Sequence, residues 1–237
     1  VYLRGEKSKP GKVAPRGFLS AVSPGEDIVV NKSQSGRLEL ARWLTHPDHP
    51  LTSRVIVNRV WQHLFGRGLV ETVDNFGTNG TLPSHPELLD WLAHRFVHEH
   101  RWSLKSLIRE LVLTRTYGLA SEFDEANFQT DPGNVFLWRM TRRRLEAEPI
   151  RDSILAASGQ LDLERPLGSA VTKMGEGEVG RGIKTEFLAE PFAHRTVYLP
   201  ILRTKMPAFL KTFDYPEPSN PQGLRDATNV PAQSLFL

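Results

Sequence analysis

Apolar side chains recur at helical rather than strand spacing over most of the chain. Leu38, Ala41 and Leu44 share one face, with Ser35 as the expected N-cap and Pro47 as the stop. Thr52 is the expected cap of a second helix, in which Ile56, Val60 and Leu64 line one side and Gly66 supplies the left-handed end. Ser84-His85-Pro86-Glu87 reads as a capping box, followed by Leu88, Leu89, Leu92, Ala93 and Phe96 as a buried face. Ser103 opens another helix, with an apolar stripe of Leu104, Leu107, Ile108, Leu111 and Val112. Asp131-Pro132-Gly133-Asn134 is a turn. A longer helical pattern runs from Thr141 to Ser158, with Leu145, Ile150, Ile154 and Leu155 inward and Gly159 as terminator. Pro149 should kink or restart it, because proline lacks the amide and crowds the preceding turn.

The texture changes beyond this point. Glycines cluster among charges between Arg165 and Phe192, and Val197 to Leu202 reads as a strand that Pro200 confines to an edge or bulge. Pro207 to Phe213 fits a short helix, residues 214–231 a loop, and Ala232 to Leu237 the start of a further helix. The predicted architecture is mainly α, a multihelical domain with a small antiparallel β element near residues 168–203. Three stretches follow: an extended lead-in over 1–34, a helical core over 35–164, and a Gly-rich β appendage with closing helical segments over 165–237.

Composition narrows the function classes. The chain has 237 residues, 39% hydrophobic and 24% charged, which is ordinary for a globular protein and too apolar for a disordered one. A net charge of +3 does not announce a nucleic-acid binder. No apolar run approaches the roughly 20 residues of a membrane span. There is no cysteine, which excludes disulfides, thiolate metal sites and cysteine nucleophiles. The sequence starts at Val1 rather than Met, as expected of a fragment or processed product, and carries no targeting signal.

Seven of the eight histidines lie between His46 and His100. His94 and His98 are one helical turn apart, a spacing that can hold a metal, and they are the metal candidates. Arg95 stands where the zinc-protease pattern needs glutamate, so a solvated helix face is the favoured reading. Gly175 to Gly180 matches G-x-G-x-x-G without the surrounding βαβ context, and Gly182-Ile183-Lys184-Thr185 falls one residue short of a phosphate-loop ending. Arg142-Arg143-Arg144 precedes Glu146, Glu148 and Asp152 at spacings that suit ion pairs along a helix. The densest polar stretch is Asn58-Arg59-Val60-Trp61-Gln62-His63, followed by Asp74, Asn75 and His85. It can line a pocket with His63 or His85 as acid or base, Asp74 as orienter and Arg59 beside them. The competing reading makes Arg59 and Asp74 a structural pair and His85 an ordinary helix-start residue.

Pro50-Leu51-Thr52-Ser53-Arg54-Val55, Asn58-Arg59-Val60-Trp61 and Phe65-Gly66-Arg67-Gly68-Leu69-Val70 carry a resemblance. So do Asp74-Asn75-Phe76-Gly77, Pro83 through Ala93, Trp102-Ser103-Leu104-Lys105, Thr116-Tyr117, Arg143-Arg144-Leu145-Glu146-Ala147-Glu148, Ile150-Arg151-Asp152, Ser158-Gly159, Arg195 to Leu199, and Pro231 to Leu237. Together they resemble the C-terminal domain of the large planctomycete cytochrome-c-associated proteins, a domain of unknown function. The family pattern includes His63 and His85 but not His94, His98 or His100, and Pro149 departs from it. The resemblance implies a periplasmic or extracellular parent. The favoured expectation is a non-catalytic accessory or docking role, with upstream domains of the same chain, another protein or a cell-surface glycan as partner. An extracytoplasmic hydrolase or redox-associated enzyme is the alternative, its acid/base site around Arg59, His63, Asp74 and His85. Glu146, Arg151 and Asp152 join the polar cluster of interest. No cofactor is expected in this chain; haem c would belong to an upstream domain, because its attachment needs cysteine.

Overall fold

A computed structural model describes residues 2–24, 29–31, 33–169, 192–202 and 206–236. It is mainly α, as the apolar spacing predicts, and it divides into two compact units, Val1–Thr141 and Arg142–Leu237. The first holds α1 (Arg37–Leu44), α2 (Thr52–Phe65), α3 (Pro86–His98), α4 (Leu104–Val112) and α5 (Glu125–Thr130). The second holds α6 (Ala147–Ala157), α7 (Ala208–Thr212) and α8 (Pro231–Phe236). The division places α6 with the closing segments rather than with the helices before it.

The core of the first unit is the α2–α3 contact. Val57, Trp61 and Phe65 of α2 meet Leu89, Leu92 and Phe96 of α3, and Leu107 and Leu111 of α4 close the cluster. The buried face of α2 therefore runs through 57, 61 and 65, one residue on from the expected Ile56, Val60 and Leu64, which are partly buried at its edge. The aromatic residues decide the shift, since Trp61 and Phe65 stack at 4.2 Å and bury the largest apolar area. On α4 only the Leu107–Leu111 half of the expected stripe is covered, while Leu104 and Ile108 are exposed.

The helix ends separate into expected and corrected ones. Gly66 ends α2 at φ 89°, the left-handed cap anticipated. Ser103 caps α4 by accepting from the Ser106 amide. Ser84 forms no capping box; its hydroxyl donates to the Leu69 carbonyl, and His85 is the N-cap without a side-chain bond. Pro86 at the first helical position has no amide to be capped, which frees Ser84 for the loop. α6 begins only at Ala147, so Pro149 lies in its first turn, where a missing amide costs no helical hydrogen bond, and no kink is needed. Leu145 and Ile154, expected inward, are exposed. α3 ends without glycine: Arg101 (φ 49°) and Trp102 (φ 63°) take left-handed conformations, and Trp102 packs edge-on against Phe96 at 5.3 Å. The apolar contact of the indole helps hold a backbone turn that L-residues otherwise avoid.

The small core of the second unit is Ala147, Leu210 and Phe213, with Ile150, Leu199, Ile201, Met206, Phe209 and Tyr215 against it. Of the expected strand at 197–202, Val197 and Tyr198 lie in a 3₁₀ turn over Thr196–Tyr198, and Leu202 is a bridge residue. Isolated bridges, Tyr2 to Pro10 and the parallel Asp162 to His194, stand in place of a ladder among the described residues. Most of the glycine-rich stretch, including Gly175 to Gly180 and Gly182 to Thr185, lies outside the described residues.

Asn58 is the buried polar group of the first core. Its Oδ1 accepts from the Val70 amide at 2.8 Å, and its Nδ2 donates to the Val70 carbonyl at 2.9 Å. The side chain is fully buried, so truncation leaves both backbone groups without a partner. Asn58→Ala is expected to cost about 2–6 kcal/mol, from two unsatisfied buried groups at about 1–3 kcal/mol each. Urea unfolding measures it, and a loss under about 0.5 kcal/mol, the range of ordinary surface changes, would contradict this account.

Candidate functional site

The polar residues singled out in the sequence split into fasteners and surface groups. Asn58 and Gln62 are buried on the inner side of α2, next to Trp61. Arg59 reaches from α2 to Asp74 in the following loop, Nη2 to Oδ1 at 3.2 Å, with both side chains about half exposed. Asn75 shapes that loop by accepting from the Gly77 amide at 2.9 Å. Gly68 is required for close approach: a Cβ there would stand 2.5 Å from the Val70 carbonyl oxygen and 2.9 Å from the Asn58 amide atoms. His63 is exposed in the last turn of α2. His85 lies 2.9 Å from the Ser84 hydroxyl and meets the edge of Phe136. The structure thus joins Arg59 to Asp74 and Asn58 to Val70, and it turns His85 toward Ser84 and Phe136.

In the second unit the side chains of α6 hold distant segments of chain. Arg225 pairs with Glu148 through two bonds of 2.6 and 3.0 Å and with Glu146 at 2.9 Å, its guanidinium over the Tyr215 ring. Burial, then the Glu148 carboxylate, pushes the Tyr215 phenol up. Arg151 donates to the carbonyls of Phe192 and His194, and Asp152 accepts from the Thr196 amide at 2.7 Å and its hydroxyl at 2.5 Å. Arg144 pairs with Asp214. Burial works against the Asp214 carboxylate, yet the bonds from Arg144 and Thr228 hold it below the usual range. Ion pairs of Arg144 with Glu148 at helical spacing do not form, because residues 141–146 precede the helix. Sequence reasoning missed Arg225, Asp214 and Thr196. The partners that tie them to α6 and the segment before it are 44 to 79 residues away, beyond any local pattern.

A cleft of ≈ 350 Å³ lies beside the α2–α3 pair. The loop Pro47–Pro50 forms one wall, with Ser53 and Arg54 from the first turn of α2. The other wall is one face of α3, through Asp90, Ala93, His94, Val97 and His98. Arg54 is fixed there, Nε to Asp90 Oδ1 at 2.7 Å and Nη1 to the Pro50 carbonyl at 2.7 Å. The His94 and His98 rings are 4.3 Å apart and tilted by 33°. His100 is not part of this pair; its Nε2 lies 2.5 Å from Glu110, which also binds Arg95. No group of three or more His, Asp or Glu that could hold a metal ion occurs among the described residues.

His49, in the cleft wall, was not among the sequence candidates. It is 5% exposed, and its Nδ1 accepts from the amides of Leu51 (3.3 Å) and Thr52 (3.2 Å) and from the Thr52 hydroxyl (3.0 Å). His49 therefore caps α2, the role the sequence assigned to Thr52. An accepting Nδ1 puts the ring proton on Nε2, which has no hydrogen-bond partner among the described residues. The ring also meets Trp43 edge to face at 4.5 Å. Burial, then the neighbouring His46, pushes its pKa below the ordinary 6.5.

These features define a multihelical domain whose polar motif residues mostly fasten the chain, with an open polar cleft beside its central helix pair. The chain belongs to the PSD1 family, described as a protein of unknown function (DUF1553), which it matches over residues 36–237. No curated protein and no solved structure matches it. Covalent haem does not fit this chain, which has no cysteine to form the thioether bonds.

The His49 cap sets a pH dependence. The unfolded imidazole takes up its proton near pH 6.5, while the folded one resists, so the unfolded state binds more protons in that window. The contribution to stability is complete above about pH 6.5 and is lost as the pH falls through the lower folded pKa. Urea unfolding between about pH 7.5 and 5 should show the decline, and His49→Gln, which cannot titrate, should be less stable at pH 7.5 and flatter with pH. Equal slopes for the two proteins would remove His49 as the cause.

Proposed function

We propose that this domain is a non-catalytic accessory module that docks within a larger extracytoplasmic, cytochrome-c-associated protein of the planctomycete type. The observation that carries the reading is the uncovered half of α4. Leu104 is 48% and Ile108 40% exposed, one turn apart on the same face, and Leu113 follows at 73%. Arg101, Lys105, Arg109 and Arg115 are exposed around them. Apolar side chains ringed by cations suit a partner surface that is apolar at its centre and acidic at its rim. The sequence motifs shared with the cytochrome-c-associated proteins support a partner in the upstream part of the parent chain, where any haem c would reside, and a periplasmic or extracellular location. No helix among the described residues is long and apolar enough to cross a membrane.

A second reading keeps an extracytoplasmic hydrolase or redox-associated enzyme working through Arg59, His63, Asp74 and His85. The Arg59–Asp74 contact suits a structural pair equally, and none of the four residues lines the cleft beside α2 and α3.

Hydrogen exchange of the full-length parent, compared with the present chain alone, tests the docking reading. The α4 amides are expected to exchange more slowly in the parent. Leu104→Glu with Ile108→Glu should abolish that difference and weaken association at least about 30-fold, since each side chain loses on the order of 1 kcal/mol of apolar burial and gains a charge to desolvate. Identical exchange in parent and isolated chain overturns the proposal. A hydrolytic or redox activity lost in His85→Ala and Asp74→Asn, but kept in the α4 variant, would transfer support to the enzyme reading.

A further inference from the structure

The cleft lined by loop Pro47–Pro50 and α3 is separate from the α4 face, and its chemistry points to a ligand of its own. Arg54 is held by Asp90 and by the Pro50 carbonyl, so its direction is fixed before any ligand arrives. That pairing uses Nε, Nη1 and Oδ1, and leaves Arg54 Nη2 as a donor and Asp90 Oδ2 as an acceptor. His49 adds a buried Nε2–H without a partner, and Ser53 a buried hydroxyl. The imidazoles of His94 and His98 stand opposite, each ring able to donate at one nitrogen and accept at the other. The apolar surface of the lining comes from Pro47 and Pro50, while Ala93 and Val97 are buried behind it.

Ligand classes can be compared against this lining. An anion such as phosphate would meet Asp48 and Asp90, with the charge of Arg54 already compensated. A wholly apolar ligand would strand the Arg54 Nη2 and the Asp90 Oδ2 away from water. A transition metal finds the His94–His98 pair but no third side-chain ligand among the described residues. A sugar hydroxyl both donates and accepts, so adjacent hydroxyls can satisfy the Arg54–Asp90 edge together, while C–H groups rest on Pro47 and Pro50. The ≈ 350 Å³ volume falls at the lower end of small-ligand pockets, about 300–1,000 Å³.

We infer that this cleft binds a neutral saccharide, one or two sugar units of a larger glycan. Arg54 and Asp90 grip neighbouring hydroxyls, and His98 and His94 contact the opposite edge. The site does not depend on the docking reading, because its residues lie on α3, the first turn of α2 and the loop before it, and not on α4.

Amide NMR shifts of the present chain test it, with neutral hexoses, N-acetylhexosamines, pentoses and their disaccharides as one arm, inorganic phosphate as a second and methylamine as a third. At least one neutral sugar should shift amides within 47–54 and 90–98, with a Kd of about 1 mM for a single ring of about 12–15 non-hydrogen atoms. Asp90→Asn and, separately, His98→Ala should each weaken it at least about 5-fold. His98 is exposed, so its removal leaves the core intact and keeps the test valid if Asp90→Asn unfolds. Arg59→Gln, on the far side of the Asn58 position, should leave binding unchanged. No shift with any neutral sugar, shifts only with phosphate or methylamine, or sugar binding unaffected by both cleft variants overturns the proposal.

Discussion

Asn58 reaches from the middle of α2 to both backbone polar groups of Val70, and the rest of the first unit is arranged around that clasp. It brings the chain back against the helix twelve residues later and fixes where Leu69 and Val70 enter the core. Gly66 supplies the left-handed exit from α2, and Gly68 leaves room for the clasp itself. Leu69 in turn offers its carbonyl to the amide and hydroxyl of Ser84, immediately ahead of α3. One buried carboxamide thus sets the loop that delivers α3 to α2. The cleft follows from that placement, since one of its walls is a face of α3 and the other belongs to the start of α2.

The second unit solves a different problem. Its buried apolar set is small, and the chain compensates with charge-assisted bonds from α6 to remote segments. Arg225 grips Glu148 and Glu146, Arg151 and Asp152 grip the stretch from Phe192 to Thr196, and Arg144 grips Asp214. Such partly buried pairs are poor sources of net stability but costly to break one partner at a time. Polar motif residues such as Glu148, Arg151 and Asp152 therefore have a structural explanation that does not require a reaction.

The two surfaces offered for function differ in kind. The α4 face is apolar and basic, and it stays open because only the Leu107–Leu111 half of the helix finds a core to enter. The cleft is polar and rigid, because its arginine and its histidine are both held by backbone groups of the loop between α1 and α2. A docking module with a pre-set sugar site would join these properties without asking the Asn58–His85 stretch to do chemistry.

Local signals in the sequence determined much of the fold. Helical spacing of apolar residues located α1, α2, α3, α4 and α6, the short α7 and α8 were also expected, and the ends at Gly66 and Ser103 followed from residue chemistry that acts within one turn. The Arg59–Asp74 pair was legible for the same reason, as a short loop separates its members. Tertiary structure alone decided which face of α2 is buried, where Ser84 spends its hydroxyl, and that a histidine caps α2. It also decided that Val197 to Leu202 opens with a 3₁₀ turn instead of a strand, and which acids Arg144 and Arg225 bind. These outcomes depend on groups tens of residues apart meeting in space. Competition for burial and for hydrogen-bond partners then selects among arrangements that local preference leaves equal.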